Sequence, residues 1–283
     1  MAMKTIRVVA ATKVSETAFW ADTWLGRSLR QLPSRSISVS VFADNRGSRA
    51  RGLGSIYNQF LSSEYRTELL LFVHDDVWIH DVFLANRLRD ALERFDVAGV
   101  AGNKMPEEPS ISWAHVFRDG AMRHQDRARL SGAVAHGRSP FSWKPKIDWY
   151  GESPAECKLL DGVFIAVNAE RVIDAGVRFD ETFRFHFYDL DFSRQCSVAG
   201  LSLGTWPITI CHSSGGAFRS PAWISALETY LQKWYGAEGA SIAKQVEPLS
   251  PSQLFVSRSK LLLSIYGRYK RLGRPTVDEN RVY

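Results

Sequence analysis

A chain of 283 residues, 45% hydrophobic and 23% charged, has ordinary globular composition and the size of one elaborated domain or two small ones. No apolar run approaches the roughly 18 residues that span a bilayer, and the apolar core of MAMKTIRVVAATK is too short for a secretory leader. The net charge of +6 is concentrated beyond Ser252, where Arg258, Lys260, Arg268, Lys270, Arg271, Arg274 and Arg281 face only Asp278 and Glu279, so the body lacks the basic stripe of a nucleic-acid binder.

Thr5 to Ala11 reads as a buried strand, with Thr12 and Lys13 at its carboxyl end. Ser15 to Leu32 places Ala21, Trp24, Leu25, Leu29 and Leu32 at helical spacing and stops at Pro33. Ile37 to Phe42 alternates as a second strand and delivers Ala43, Asp44 and Asn45 to its end. Asp44 is a turn residue in the bland reading and a partner for base or ribose in the functional one. A flexible Arg51-Gly52-Leu53-Gly54 turn precedes a helix opening at Ser55.

Leu69 to Val73 is an uninterrupted apolar run, expected to be a parallel strand buried on both faces. It runs straight into His74, Asp75 and Asp76. Buried ionised carboxylates are costly unless paired or metal-bound, and ligands of open α/β sheets sit beyond the carboxyl ends of strands. The two acids therefore belong at the mouth of a crevice, where a hard divalent cation bridging to phosphate is the natural occupant. The plainer alternative is that one of them caps the helix read over Asp81 to Phe95. Strands alternating with helices predict a parallel, three-layer α/β sheet.

Val97 to Ala101 is a short strand. Asn103 to Glu156 has no sustained period but carries five prolines, Trp113, Trp149 and scattered histidines, which suggests a functional insertion rather than a disordered one. Its aromatic rings suit either sugar stacking or packing onto the sheet. Leu159 to Val167 is an apolar strand interrupted by Asp161 and Gly162; the acid calls for a partner and the glycine permits close approach. Asp189 and Asp191 stand at the start of a helix ending at Gly200, where capping and the helix dipole are the structural explanation. Leu201 to Ile210 is a late strand followed by Cys211 and His212, and Pro221 to Tyr235 is a helix. Ser252 to Arg271 is partly amphipathic with a basic side. The three cysteines, Cys157, Cys196 and Cys211, form no metal-binding pair and suggest a reducing, cytoplasmic setting.

The ADNRGSRARGLGSIYN segment, the FVHDDVW strand and the run YDLDFSRQCSVAGLSLG together resemble family 2 glycosyltransferases of the GT-A fold. The resemblance covers about Lys4 to Gly216. It implies a three-layer αβα sandwich with a mostly parallel central sheet over residues 1–220, an acceptor-side insertion over 103–158, and a helical basic extension over 221–283. It implies an inverting transferase that uses Mn2+ or Mg2+ and a nucleotide-sugar donor, a UDP- or dTDP-sugar, with a glycan or lipid-linked glycan as acceptor. Ala11, Thr12, Asp44, Asn45 and Asp75 then belong to the nucleotide, and Asp76 with His212 to the metal. Trp149, Asp161 and Gly162 belong to the sugars, and Asp189 with Asp191 to catalysis. Tyr188 stands where the family usually has Glu. Surface-polysaccharide synthesis, with the basic tail against the inner face of the membrane, is the role such enzymes commonly fill. A non-catalytic glycan-binding protein on the same frame, or a sugar nucleotidyltransferase, are the alternatives.

Overall fold

The computed structural model describes residues 4–33, 37–137, 139–141, 146–213 and 218–248. The helix read over Ser252 to Arg271 and the basic tail lie outside them.

The chain opens with β1 (Ile6–Ala11), α1 (Glu16–Asp22), α2 (Trp24–Leu29), β2 (Ile37–Phe42) and α3 (Leu53–Tyr57), followed by β3 (Leu69–Val73), β4 (Val77–Ile79) and α4 (Leu84–Arg94). The single helix expected from Ser15 is two, because Thr23 turns extended. Its side chain closes α1 by donating to the Phe19 carbonyl and opens α2 by accepting from Gly26 N–H at 3.0 Å. Next come β5 (Val97–Gly99), β6 (Ala101–Asn103), β7 (Ser110–Ser112), β8 (His115–Arg118), β9 (Ala121–His124), β10 (Leu130–His136) and β11 (Lys146–Gly151). The insertion is thus largely antiparallel strand. Its strands are short, and their half-exposed faces carry no clean alternation. β12 (Ala155–Cys157), β13 (Leu159–Leu160), β14 (Phe164–Asn168), α5 (Ala169–Asp174), α6 (Tyr188–Val198), β15 (Leu203–Thr205), β16 (Ile210–His212) and α7 (Pro221–Ala243) complete the described chain.

The large sheet has the order β12-β15-β5-β14-β3-β1-β2. β2, β1, β3, β5 and β15 run in one direction, and β14 and β12 run against them. Helices cover both faces. On one side Ile6, Val8, Leu69, Leu71 and Val73 pack with Phe19, Leu25 and the Leu84, Leu88 and Leu92 stripe of α4. On the other, Val9, Leu70 and Phe72 pack with Ile56, Val172, Phe192 and the α7 residues Trp223, Leu227, Tyr230 and Leu231. The first part of the expected C-terminal extension therefore belongs to the main core.

A second sheet, β13-β6-β10-β16-β4 with β11 on β10, stands beside the first. Several apolar runs that read as one strand are two, one in each sheet: β5 and β6 are joined at Val100, β13 and β14 through Asp161 to Val163, β15 and β16 through Trp206 to Thr209. β3 and β4 are likewise joined through His74 to Asp76. Where the chain changes sheets the ladder is interrupted and polar side chains need not be buried between neighbours. β14 is antiparallel to β3, with Phe164 opposite Val73, so the start of one strand meets the end of the other. That reversal brings Asp161 beside His74 to Asp76.

Candidate active site

The sheet-switching segments open on a cavity of about 1390 Å³. Ala11, Thr12, Asn45, Asp75, Asp76, Trp149, Asp161, Gly162, Asp189 and His212 all line it; Asp44 and Asp191 do not. Residues far apart in the chain but chosen for their chemistry thus converge on one space.

His74, Asp76 and His212 each offer a ligand atom, and the three atoms lie within 4.8 Å of one another. β16 is held against β4 with His212 opposite Val77, and Ser213 N–H donates to the Asp76 carbonyl at 3.0 Å, which fixes the approach of the two side chains. His212 Nε2 and Asp76 Oδ1 are 3.2 Å apart. The ring N–H direction misses the oxygen, however, and neither buried atom has a hydrogen-bond partner among the described residues. Their close approach and opposite charges set the direction of their titration. Burial pushes Asp76 up, but His212 and His74 outweigh it and hold the carboxyl below its ordinary range. Burial pulls His212 down, and Asp76 more than reverses this. Buried polar atoms without partners are rare and call for an explanation such as an ion. Two imidazoles and a carboxylate are a donor set for a divalent transition metal, so these residues fit a cation.

Beside this cluster, the Thr12 hydroxyl donates to Asp75 Oδ2 at 2.6 Å. Burial raises the Asp75 carboxyl, and the Thr12 bond and His74 pull it back only partly. Asn45 staples its own loop: Oδ1 accepts from Arg51 N–H at 2.7 Å and Nδ2 donates to the Arg51 carbonyl at 3.0 Å. Asp44 adopts a left-handed φ of 52° with an exposed side chain 3.4 Å from Arg46, the behaviour of a turn residue.

Asp189 enters at the first turn of α6 and accepts from Gly162 N–H at 2.8 Å through Oδ2. Burial, and then the charge of Asp161, pushes its carboxyl up to about 7. Asp191 points the other way. It is fully buried, accepts from Trp234 Nε1 at 2.9 Å and Gln195 Nε2 at 2.6 Å, and pairs with Lys233 at 2.7 Å. Residues two apart on a helix do not share a face, so only one of the two acids can serve the cavity.

Trp149 and Phe185 line the cavity with 55% of their surface exposed, and Arg127 lies over the Trp149 ring. His115 and His124 add a ring pair 4.3 Å apart; burial lowers His115 to about 4. Sequence reasoning missed His74, although its place directly before two acids at a strand end was a signal. It also missed Tyr188, whose hydroxyl joins His74 and Gly162, and nothing in the local pattern announced that contact.

No family model matches the chain, and no curated protein matches it. Two of the solved structures that match it are the following. The mannosyltransferase PcManGT from Pyrobaculum calidifontis, in complex with GDP-Man and Mn2+, has a TM-score of 0.46 and 11% identity, over 96% of this chain and 83% of that one. A197 from STIV has a TM-score of 0.40 and 10% identity, over 74% of this chain and 86% of that one. Similarity at this level leaves the chemistry to be argued from the site itself.

Proposed function

We propose that this chain is a metal-dependent, inverting glycosyltransferase that moves a sugar from a nucleoside-diphosphate donor, a UDP- or dTDP-sugar, to a hydroxyl of a glycan or lipid-linked glycan, in surface-polysaccharide synthesis. One observation carries the reading: Asp76, within a cation-fitting cluster, and Asp189, a carboxyl pushed up to about 7, open into the same cavity. A transfer of this kind needs those two acids at once, one at the diphosphate and one at the acceptor.

In this reading Ala11, Thr12, Asn45 and Asp75 serve the nucleotide, with Asp75 accepting from ribose hydroxyls. His74, Asp76 and His212 hold the cation. A bound cation supplies neutralisation of the charge that builds on the departing diphosphate. Between Mn2+ and Mg2+, the two imidazoles favour Mn2+. Asp161, Gly162 and Trp149 shape the sugar sites. Asp189 takes the proton of the acceptor hydroxyl as its oxygen bonds to the anomeric carbon and the bond to the diphosphate oxygen breaks. Positioned base help of this kind contributes about 100- to 10,000-fold. A carboxyl titrating near neutrality is close to the optimum for a base that works at neutral pH. Asp44 and Asp191 take no part. No described helix is long and apolar enough to cross a membrane, and peripheral attachment through the basic tail beyond Ser252 remains part of the proposal.

The test is a thermal-shift panel of nucleoside diphosphates and sugar nucleotides, with and without Mn2+, since a ligand that binds only the folded chain raises its melting temperature. A metal-dependent rise for one base is expected. A panel in which no nucleotide moves the transition, with or without metal, overturns the reading.

A further inference from the structure

We infer that Tyr188 is a positioning residue that fixes the tautomer of His74 and so presents Nδ1 of that ring to a divalent cation; the inference rests on the metal-dependent reading above. The Tyr188 hydroxyl touches two groups, the Gly162 carbonyl oxygen at 2.8 Å and His74 Nε2 at 2.9 Å. A phenol has one proton to donate. The carbonyl can only accept, so that proton goes to Gly162. The contact with His74 is then a hydrogen bond only if Nε2 carries the hydrogen and the phenol oxygen accepts it. This places the lone pair of the neutral imidazole on Nδ1. Which ring nitrogen binds a metal is set by the hydrogen bond the other one makes.

The phenol has no freedom to rearrange. Tyr188 is 3% exposed, and its ring is wedged against Tyr57 and Phe179. Gly162 has no side chain to interfere: a Cβ there would stand 2.5 Å from the Tyr188 hydroxyl. Phe187, which precedes it, is 4% exposed and holds a left-handed φ of 64°, a conformation bulky residues rarely adopt. It is pinned there by its ring against Trp223 and Tyr230. The first turn of α6 is therefore set rigidly, and with it both Tyr188 and Asp189. Where the resembling family carries an acid at this position, this chain carries a group that acts on a metal ligand instead. The backbone of this one glycine is used from both sides, its carbonyl by Tyr188 and its N–H by Asp189.

The experiment measures Mn2+ binding alone, without nucleotide, by titration calorimetry and by paramagnetic resonance of free Mn2+, on the full chain and on Tyr188→Phe and His74→Ala. The ring nitrogens of 15N-histidine-labelled, metal-free protein are read by NMR in parallel. Expected are an Nε2–H tautomer for His74 in the parent chain, and a tautomer mixture with about 10- to 100-fold weaker Mn2+ binding in Tyr188→Phe, the usual cost of losing such a partner. An Nδ1–H tautomer in the parent chain overturns the inference without any variant. Unchanged Mn2+ affinity in Tyr188→Phe, with affinity lost in His74→Ala, overturns the role of Tyr188 and leaves the metal site standing. Unchanged affinity in His74→Ala overturns His74 as a ligand and with it the role of Tyr188.

Discussion

Gly162 N–H and Asp189 Oδ2 are joined by a 2.8 Å hydrogen bond, so a segment that changes sheets holds the carboxylate at the head of α6. A Cβ on Gly162 would stand 2.9 Å from the Asp189 Cβ as well as against Tyr188. Gly162→Ala is expected to push both side chains out of place at a stability cost of about 1–3 kcal/mol, the usual range for overpacking. Transfer should fall by about 100-fold or more, since small misplacements of reacting groups cost that much. Steady-state kinetics beside a thermal melt checks it; a variant with undiminished transfer would show that the bond does not position the base.

Asp189 also makes a prediction about pH. Its folded carboxyl titrates at about 7, above the range of an unfolded aspartate. The native state therefore binds the proton more tightly, and the stability so gained is complete below about pH 4 and is lost as pH rises through 7. Asp189→Asn keeps the acceptor for Gly162 N–H and removes the charge. In metal-free protein the variant should gain on the parent chain between pH 4 and 7, by on the order of a few kcal/mol at the plateau. It should bind nucleotide and fail to transfer. Chemical denaturation across that range checks the first part, and a difference that shrinks with rising pH contradicts it.

Asp191 is expected to behave oppositely. Removing its carboxylate leaves the Trp234 N–H and the Gln195 amide without an acceptor and takes from Lys233 one of its two carboxylates. Because Lys233 is a third exposed and keeps Asp180 at 2.7 Å, Asp191→Ala should cost about 2–4 kcal/mol, toward the lower side of a broken buried pair. The rate constant for transfer at a temperature where the variant is folded should stay within a few-fold of the parent.

Asp76→Asn and His212→Ala should each weaken Mn2+ binding at least about tenfold. In the parent chain, Mn2+ at about 100 times its dissociation constant should add about 2.7 kcal/mol of stability, and both variants should lose about half of it or more. Melts with and without chelator read this directly.

Trp149→Ala tests the exposed ring. A stacking contact of about 1 kcal/mol corresponds to about a five-fold rise in the KM of one sugar substrate. Mn2+ affinity should not move. A fall in metal binding with unchanged KM would assign the ring to support of the β10–β11 hairpin instead.

The core strands were legible because a sheet covered on both faces demands unbroken apolar runs, and Leu69 to Val73 is such a run. Three acids that line the cavity were legible too, because Asp75, Asp76 and Asp161 interrupt those runs where a ligand or a partner is needed to explain them. The change of sheet at each interruption was not, since a short gap in an apolar run looks the same whether the strand continues or turns into another sheet. The choice between Asp189 and Asp191 depended on where α6 begins, and that is set by Phe187 at an unusual φ. His74 escaped because its place before two acids was a weak signal until joined by His212, which arrives on a strand far along the chain.

The division into separate ladders has a mechanical consequence. His74 to Asp76 and Asp161 to Val163 hang from hydrogen-bonded neighbours, β3 and β14, and are tied together by that pairing. The small sheet β7-β8-β9 pairs with neither larger sheet among the described residues, yet its Ser112, His115 and His124 line the same space. Such a layout works as a chassis with an exchangeable tool-holder: side chains on the small sheet can be traded to reshape one wall of the cavity while the acid-bearing wall keeps its geometry.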